Sequence, residues 1–142
     1  MYLDPSYVSR VQEAGAKVGL DYTHLCRKVP NTLLAHSLIS WAGETSSKQS
    51  EVAEIVFRQY HTDGQYPDID SLISAAEEAG LDKDAARAAI TSVERQEATA
   101  NEVRTNARVG GVPHMVINGE AVIHGAQPTA VILQALTQAA SS

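Results

Sequence analysis

The residues with the most chemistry to offer are one cysteine and five histidines in a chain of 142 residues. Cys26 excludes an intramolecular disulfide and a C-x-x-C redox pair within these residues, because either one needs a second sulfur. A thiol beside His24, Arg27 and Lys28 could be a reactive free thiol, since neighbouring cations favour the thiolate. A lone cysteine in a connecting segment is more often a half-buried small apolar side chain, and we adopt this interpretation for Cys26.

The remaining ligand-type residues show no recognised metal-binding spacing. A structural zinc site needs four ligands in closely spaced pairs, and the pair His24 and Cys26 has no second pair to match it. The acidic residues from Asp63 onward do not follow the calcium-loop pattern. We interpret them as a capped helix start at Asp68 or Asp70. We therefore expect no metal and no other cofactor.

Charge and hydropathy limit the class of partner. A formal net charge of −6 offers no broad cationic surface, so we expect no nucleic-acid partner. No apolar run approaches the roughly 20 residues that span a bilayer, and the first residues show no basic segment leading into an apolar one. We expect a cytoplasmic protein with no membrane partner. The length fits a single domain over residues 1–142.

Helix signals dominate residues 1–109. Asp4 followed by Pro5 is typical of a helix start, and Gly80 followed two residues later by Asp82 is typical of one helix ending and the next beginning. The first two predicted helices begin after Asp4 and after Asn31, each of which caps its helix. The others cover about 47–60, 70–80, 82–91 and 92–108, the last one ending at Gly110-Gly111, and residues 20–30 form an irregular connection. Four apolar residues of the third helix are expected to face the core: Val52, Ile55, Val56 and Phe57.

The last part of the chain, residues 110–142, changes character. Two β-branched runs flank Asn118-Gly119, the strongest short signal for a β-hairpin, and a proline-led helix follows. A two-residue loop would set His114 opposite Ile123 and turn His124 to the other side of the sheet. On that register the two histidines cannot converge on one ion or one proton. The pattern predicts a helix-dominated α+β fold with one antiparallel hairpin.

Three segments in combination resemble a known family. The stretch Gly110-Gly-Val-Pro-His-Met-Val-Ile-Asn-Gly-Glu-Ala-Val-Ile-His-Gly-Ala-Gln-Pro128 is similar to the end of a DsbA-like thioredoxin-fold domain, in particular of the FrnE-type and 2-hydroxychromene-2-carboxylate isomerase branch. Pro30-Asn-Thr-Leu-Leu-Ala-His36 and Tyr60-His-Thr-Asp-Gly64 resemble two further segments of FrnE-type proteins. The resemblance runs from about residue 7 to residue 139.

The resemblance implies a truncated DsbA-like thioredoxin fold, with a helical insertion over 1–109 followed by a hairpin and a C-terminal helix over 110–142. The family's first strand and its C-x-x-C segment are not found in this sequence. By resemblance, Pro113 is the cis-proline that faces the active-site cysteines. Val112 offers its backbone to an extended substrate in the manner of an added strand, and His114 is a candidate contact to a substrate or partner.

Two functions follow from the resemblance. In the first, the chain is redox-inactive alone and another segment completes it as an oxidoreductase or isomerase. In the second, it is a stand-alone binding or oligomerisation module. In both, the strand that begins at Pro113 lacks the central strand with which it pairs in the family's fold. Unpaired N–H and C=O groups at Met115 to Ile117 then favour pairing with another strand. We expect a homodimer through this hairpin edge, a protein or peptide as the alternative partner, and no enzymatic activity of the chain alone.

Overall fold

The computed structural model describes residues 1–106, 112–119 and 121–141. Within them the fold is helix-dominated with one small antiparallel sheet, as the sequence predicts. The elements are α1 (Pro5–Lys17), α2 (Leu33–Thr45), α3 (Gln49–His61), α4 (Ile69–Glu78), α5 (Lys83–Thr91), α6 (Val93–Asn106), β1 (His114–Ile117), β2 (Ala121–His124) and α7 (Thr129–Ala140). The chain divides into two compact units, unit 1 (Met1–Ala100) and unit 2 (Asn101–Ser142). The single domain over 1–142 stays a prediction.

Capping side chains determine where several helices of unit 1 begin. The carboxylates of Asp4, Asp68 and Asp82 each accept a hydrogen bond from a first-turn backbone N–H at 2.8 to 3.0 Å. These bonds satisfy N–H groups that have no partner inside the helix, and the three predicted starts are confirmed. Asn31 accepts from the N–H of Leu33 at 3.0 Å, but the cap position is Thr32, so α2 begins at Leu33, one residue later than predicted. The predicted end of α6 at 110–111 lies outside the described residues.

The core of unit 1 lies among α2, α3, α4 and α5. Leu38, Val52, Leu72 and Ile90, one from each of these helices, are all fully buried. Alanines fill many of the remaining positions of this core, which lets the helices approach closely. Within the described residues, no helix combines the length and apolar character needed to cross a bilayer.

One prediction about this core is wrong. The buried face of α3 consists of Val52, Ile55, Val56 and Gln59, which is the i, i+3, i+4, i+7 spacing of a single helix face. Phe57 is 53% exposed. Since each residue turns an α-helix by about 100°, Phe57 lies beside this face rather than on it.

The start of α6 is fixed to α2 by polar contacts within unit 1. The buried hydroxyls of Ser37 and Thr99 are hydrogen-bonded at 3.1 Å. The Arg95 guanidinium donates to both carboxylate oxygens of Glu44, at 2.9 and 3.0 Å. The first bond satisfies two buried hydroxyls, and the second is a two-point ion pair that joins the helices at a more exposed position.

In unit 2, α7 packs against both strands of the hairpin. The Asn118 side-chain amide donates to the carbonyl of Ala139 at 2.9 Å, which connects the turn to the end of α7. Ile123 is buried, whereas Val116 is 56% exposed. Because side chains alternate between the two faces of a sheet, α7 covers the face of Ile123 and leaves the face of Val116 open.

The register of this hairpin differs from the predicted one by a single residue. Ile117 pairs with Ala121, so three residues and not two separate the paired ends. A shift of one position exchanges the faces for the whole second strand. His114 therefore lies directly opposite His124, and the prediction that they point to opposite sides of the sheet is wrong.

The packing of α7 explains the longer loop. The two-residue loop would place the charged Glu120 on the face that α7 covers, together with Met115 and Ile117. The observed register places the apolar Ile123 on that face instead. Burying a carboxylate without a partner is far less favourable than burying an isoleucine.

Candidate functional site

The first candidate site is the segment that leads into β1. The peptide bond between Val112 and Pro113 is cis, and the Val112 side chain is 87% exposed. His114 follows as the first residue of β1, with a half-buried side chain. The three residues named from the resemblance thus lie at one end of the hairpin. Their role in binding a substrate or partner stays a prediction.

Backbone hydrogen bonds show which groups of the hairpin point outward. The N–H of Gly125 donates to the carbonyl of Pro113 at 2.8 Å, so these two residues form a hydrogen-bonded pair. Pairs alternate along an antiparallel ladder, and His114 with His124 is therefore a non-hydrogen-bonded pair whose backbone groups point away from the partner strand. Consistently, the Gln127 side-chain amide donates to the outward carbonyl of His124 at 3.0 Å.

On β1 the same alternation turns the N–H and C=O groups of His114 and Val116 to the outer edge. Among the residues that the structure describes, β2 is the one strand paired with β1, and no backbone group bonds to this outer edge. An edge of unpaired backbone groups is a template for another strand. In the same unit, α7 carries three exposed apolar side chains: Val131, Leu133 and Leu136.

The two histidines of the hairpin contact each other. Their Nδ1 atoms are 3.1 Å apart, and their ring centroids are 4.8 Å apart with 53° between the ring planes. Side chains approach more closely in a non-hydrogen-bonded pair than in a hydrogen-bonded one, which accounts for the contact. This distance is that of a hydrogen bond in which one Nδ1 donates and the other accepts. No group of three or more His, Cys, Asp or Glu residues in the described ranges could hold a metal ion.

Cys26 lies in the connection between α1 and α2, which has the irregular form that the sequence predicts. The side chain is buried. Its backbone N–H donates to the carbonyl of Tyr60 at 2.9 Å, and its Sγ lies 4.0 Å from the carbonyl oxygen of Lys28. The Lys28 ammonium sits 4.2 Å from the centre of the Tyr66 ring, so this cation interacts with an aromatic face. The arrangement fits a small packed side chain rather than a reactive thiol.

Tyr60 is hydrogen-bonded to the connection that carries Cys26. Its hydroxyl donates to the carbonyl of Lys28 at 3.1 Å. Burial raises the pKa of the Tyr60 phenol, and the neighbouring Cys26 raises it further. The phenol therefore stays protonated at neutral pH and serves as a hydrogen-bond donor that holds the connection against α3.

Unit 1 has a surface cleft that was not predicted from the sequence. Its volume is about 380 Å³. The rings of Tyr22, Phe57 and Tyr60 lie 5.0 to 6.2 Å from the ring of His61, centroid to centroid, and the His61 Nδ1–H donates to the carbonyl of Phe57 at 3.0 Å. The i, i+4 spacing of Phe57 and His61 on the exposed side of α3 was the available signal. The cleft is lined by Leu20, Tyr22, Glu54, Phe57, Arg58, His61 and Thr62.

Arg58, which lines the cleft, forms ion pairs with Glu78 and Asp63. The two terminal nitrogens of Arg58 donate to both oxygens of Glu78 at 2.7 Å, and its Nε donates to Asp63 at 3.2 Å. This guanidinium holds the pKa of the Glu78 carboxyl below its ordinary value. Glu54 and His61 both line the described cleft, but the His61 Nδ1–H is donated to Phe57 and no hydrogen bond among the described residues joins the Glu54 and His61 side chains. The hairpin is therefore the better candidate site.

The sequence was compared with known proteins and protein families. Nothing among the curated proteins matches the chain. A family model described as a DSBA-like thioredoxin domain matches residues 6–137, which includes the cis peptide at Pro113, the hairpin and most of α7. The match covers nearly the whole chain and agrees with the helix-dominated fold. The chain belongs to the DSBA-like thioredoxin domain family.

Proposed function

We propose that these 142 residues have no dithiol–disulfide activity of their own and form a protein-binding module, which pairs with a second copy of the chain through the outer edge of β1. The family is related to thiol–disulfide oxidoreductases, and within it we propose the FrnE-type branch, whose motifs the stretch from Gly110 to Pro128 resembles. The chain supplies the proline-bearing hairpin of such a domain and the helices before it.

The absence of dithiol chemistry follows from the sulfur count. Disulfide exchange proceeds by attack of a thiolate and release of the mixed disulfide by a second thiol. Within this chain Cys26 is the one cysteine, and it is buried with its N–H bonded to Tyr60. It has neither a resolving partner in the chain nor the exposed position of a reactive thiol.

The observation that carries the proposed pairing is the outward direction of the N–H and C=O groups of His114 and Val116. An antiparallel pair of β1 strands about a two-fold axis at Met115 would join His114 of each copy to Val116 of the other. This arrangement uses all four outward groups of those two residues and is self-complementary, as a symmetric dimer requires. It also supplies further strands for a hairpin that is marginal by itself.

The dimer can be tested by sedimentation equilibrium at micromolar concentration. We expect a mass of about 30 kDa, twice the 15.2 kDa of one chain. Val116→Pro removes one outward N–H while leaving the ladder bonds of Met115 and Ile117 to β2 in place, so this variant should sediment as one chain. Val116→Lys, which adds a charge beside the same edge, should weaken the dimer in the same direction.

Val18→Lys is the matched control, because Val18 is 72% exposed in unit 1 and lies far along the chain from β1. It should leave the mass at that of the dimer. A wild-type mass of 15.2 kDa at these concentrations would contradict the proposal. A Val116→Pro variant that dimerises as tightly as the wild type would do so as well.

The redox prediction needs a separate assay. The purified chain should neither reduce insulin nor oxidise a dithiol peptide above the uncatalysed rate, because no second thiol can release a mixed disulfide. Cys26→Ser should behave like the wild type. Turnover by the wild type that disappears in Cys26→Ser would show that the interpretation of Cys26 as an inert packed residue is wrong.

A further inference from the structure

The separation of the His114 and His124 Nδ1 atoms matches that of two imidazole nitrogens on one metal ion. Their Nδ1 atoms lie on the near sides of the rings, since they are 3.1 Å apart while the ring centroids are 4.8 Å apart. Bonds from histidine nitrogen to zinc are about 2.0–2.1 Å long, so two such nitrogens on one ion are about 2.9 to 3.4 Å apart for bond angles between square-planar and tetrahedral. The observed Nδ1–Nδ1 separation of 3.1 Å falls inside this range, so the two nitrogens need only turn toward a common ion and need not move closer together or further apart.

The pair is held in place and accessible. The two residues are directly opposite each other in the hairpin, so the strands fix both backbones before any ligand arrives, which reduces the entropy lost on binding. His124 is exposed and His114 half-buried, on the face that α7 leaves open. The sequence from Val112 to Ser141 holds no Lys or Arg, so no neighbouring residue of this stretch carries a fixed positive charge that would repel a cation.

We propose that His114 and His124 bind one divalent transition-metal ion of the Cu²⁺, Ni²⁺ and Zn²⁺ class on the open face of the hairpin. Imidazole suits these ions, whereas Mg²⁺ and Ca²⁺ prefer oxygen ligands. Both rings coordinate through Nδ1, so each bound ring is the neutral tautomer with its proton on Nε2. Water fills the other coordination positions, which makes the ion exchangeable and weaker-bound than zinc in a four-ligand structural site.

Copper should bind most tightly, because the affinity of a given nitrogen site rises from Ni²⁺ to Cu²⁺ and falls again at Zn²⁺. Calorimetric titration of the full chain should show one equivalent for Cu²⁺ and weaker binding of Ni²⁺ and Zn²⁺, with none for Mg²⁺. His114→Asn and His124→Asn should each weaken Cu²⁺ binding by about 100-fold or more, since even the loss of an outer partner of a metal ligand costs 10–100-fold. His36→Asn, at an exposed histidine of α2, is the matched control and should leave the affinity unchanged.

A second readout does not depend on the variants folding. Nitrogen NMR of the histidine rings with Zn²⁺ should shift the Nδ1 signals of His114 and His124 and leave those of His24, His36 and His61 in place. Unchanged ring signals of the hairpin pair at saturating Zn²⁺, or equal Cu²⁺ affinity in the wild type and both hairpin variants, would overturn the proposal. The site needs one hairpin only, so a chain that binds metal while sedimenting as a monomer would support it and contradict the dimer.

Discussion

Leu72→Ala should lower the free energy of unfolding by about 2 to 5 kcal/mol. Leu72 is fully buried in α4, where it packs in the core formed with α2, α3 and α5. Alanine removes the apolar contacts of the side chain and leaves a cavity that surrounding helices fill only in part, so both losses add. Urea unfolding followed by circular dichroism measures the change directly.

Leu20→Ala provides the matched comparison, because Leu20 is 49% exposed in the connection after α1. The same substitution there should lower the free energy of unfolding by about 1 kcal/mol at most, in keeping with its partial burial. Equal losses for the two variants would show that Leu72 does not lie in the packed centre of unit 1.

Gly64→Ala should be the second large effect, with a loss of at least about 2 kcal/mol. Gly64 has a φ of 72°, in the left-handed region that residues with a Cβ rarely adopt. A Cβ at this position would lie 2.4 Å from the carbonyl oxygen of His24. Because backbone and not a flexible side chain is in the way, the connection that carries Cys26 must move.

This movement gives Gly64→Ala a second signature. The Cys26 thiol, buried in the wild type, should react faster with an alkylating reagent in the variant. Gly19→Ala is the control, since Gly19 has a φ of 80° but open space around its Cα. It should lower stability by about 1 kcal/mol and leave the alkylation rate unchanged. Equal stability and equal alkylation rates in the two variants would contradict the clash at His24.

Features that depend on a few neighbouring residues could be predicted from the sequence. The acidic caps at Asp4, Asp68 and Asp82 act on N–H groups two or three residues away, so the helices they begin were predicted within one or two residues. The helix-dominated α+β order and the hairpin near the end also follow from local patterns. The inward prediction for Phe57 failed because it rested on apolar character rather than on its position around α3.

The candidate site was harder to predict, because its geometry depends on contacts distant in the chain. Asn118-Gly119 favours a two-residue loop by itself, but the hairpin also has to place Ile123 beneath α7. The burial of Ile123 beneath α7 decides the register, and the register places His114 opposite His124. The cleft around His61 is likewise assembled from α3 and the connection after α1, which no local pattern brings together.

The central claim is that the outward backbone groups of β1 pair with a second copy of the chain. Amide hydrogen exchange at a series of protein concentrations measures those groups themselves. Exchange at the His114 and Val116 amides should slow strongly as concentration rises, while the amides of Met115 and Ile117, already bonded to β2 in a single chain, should slow less. Rapid exchange at His114 and Val116 that is the same at every concentration would contradict the account.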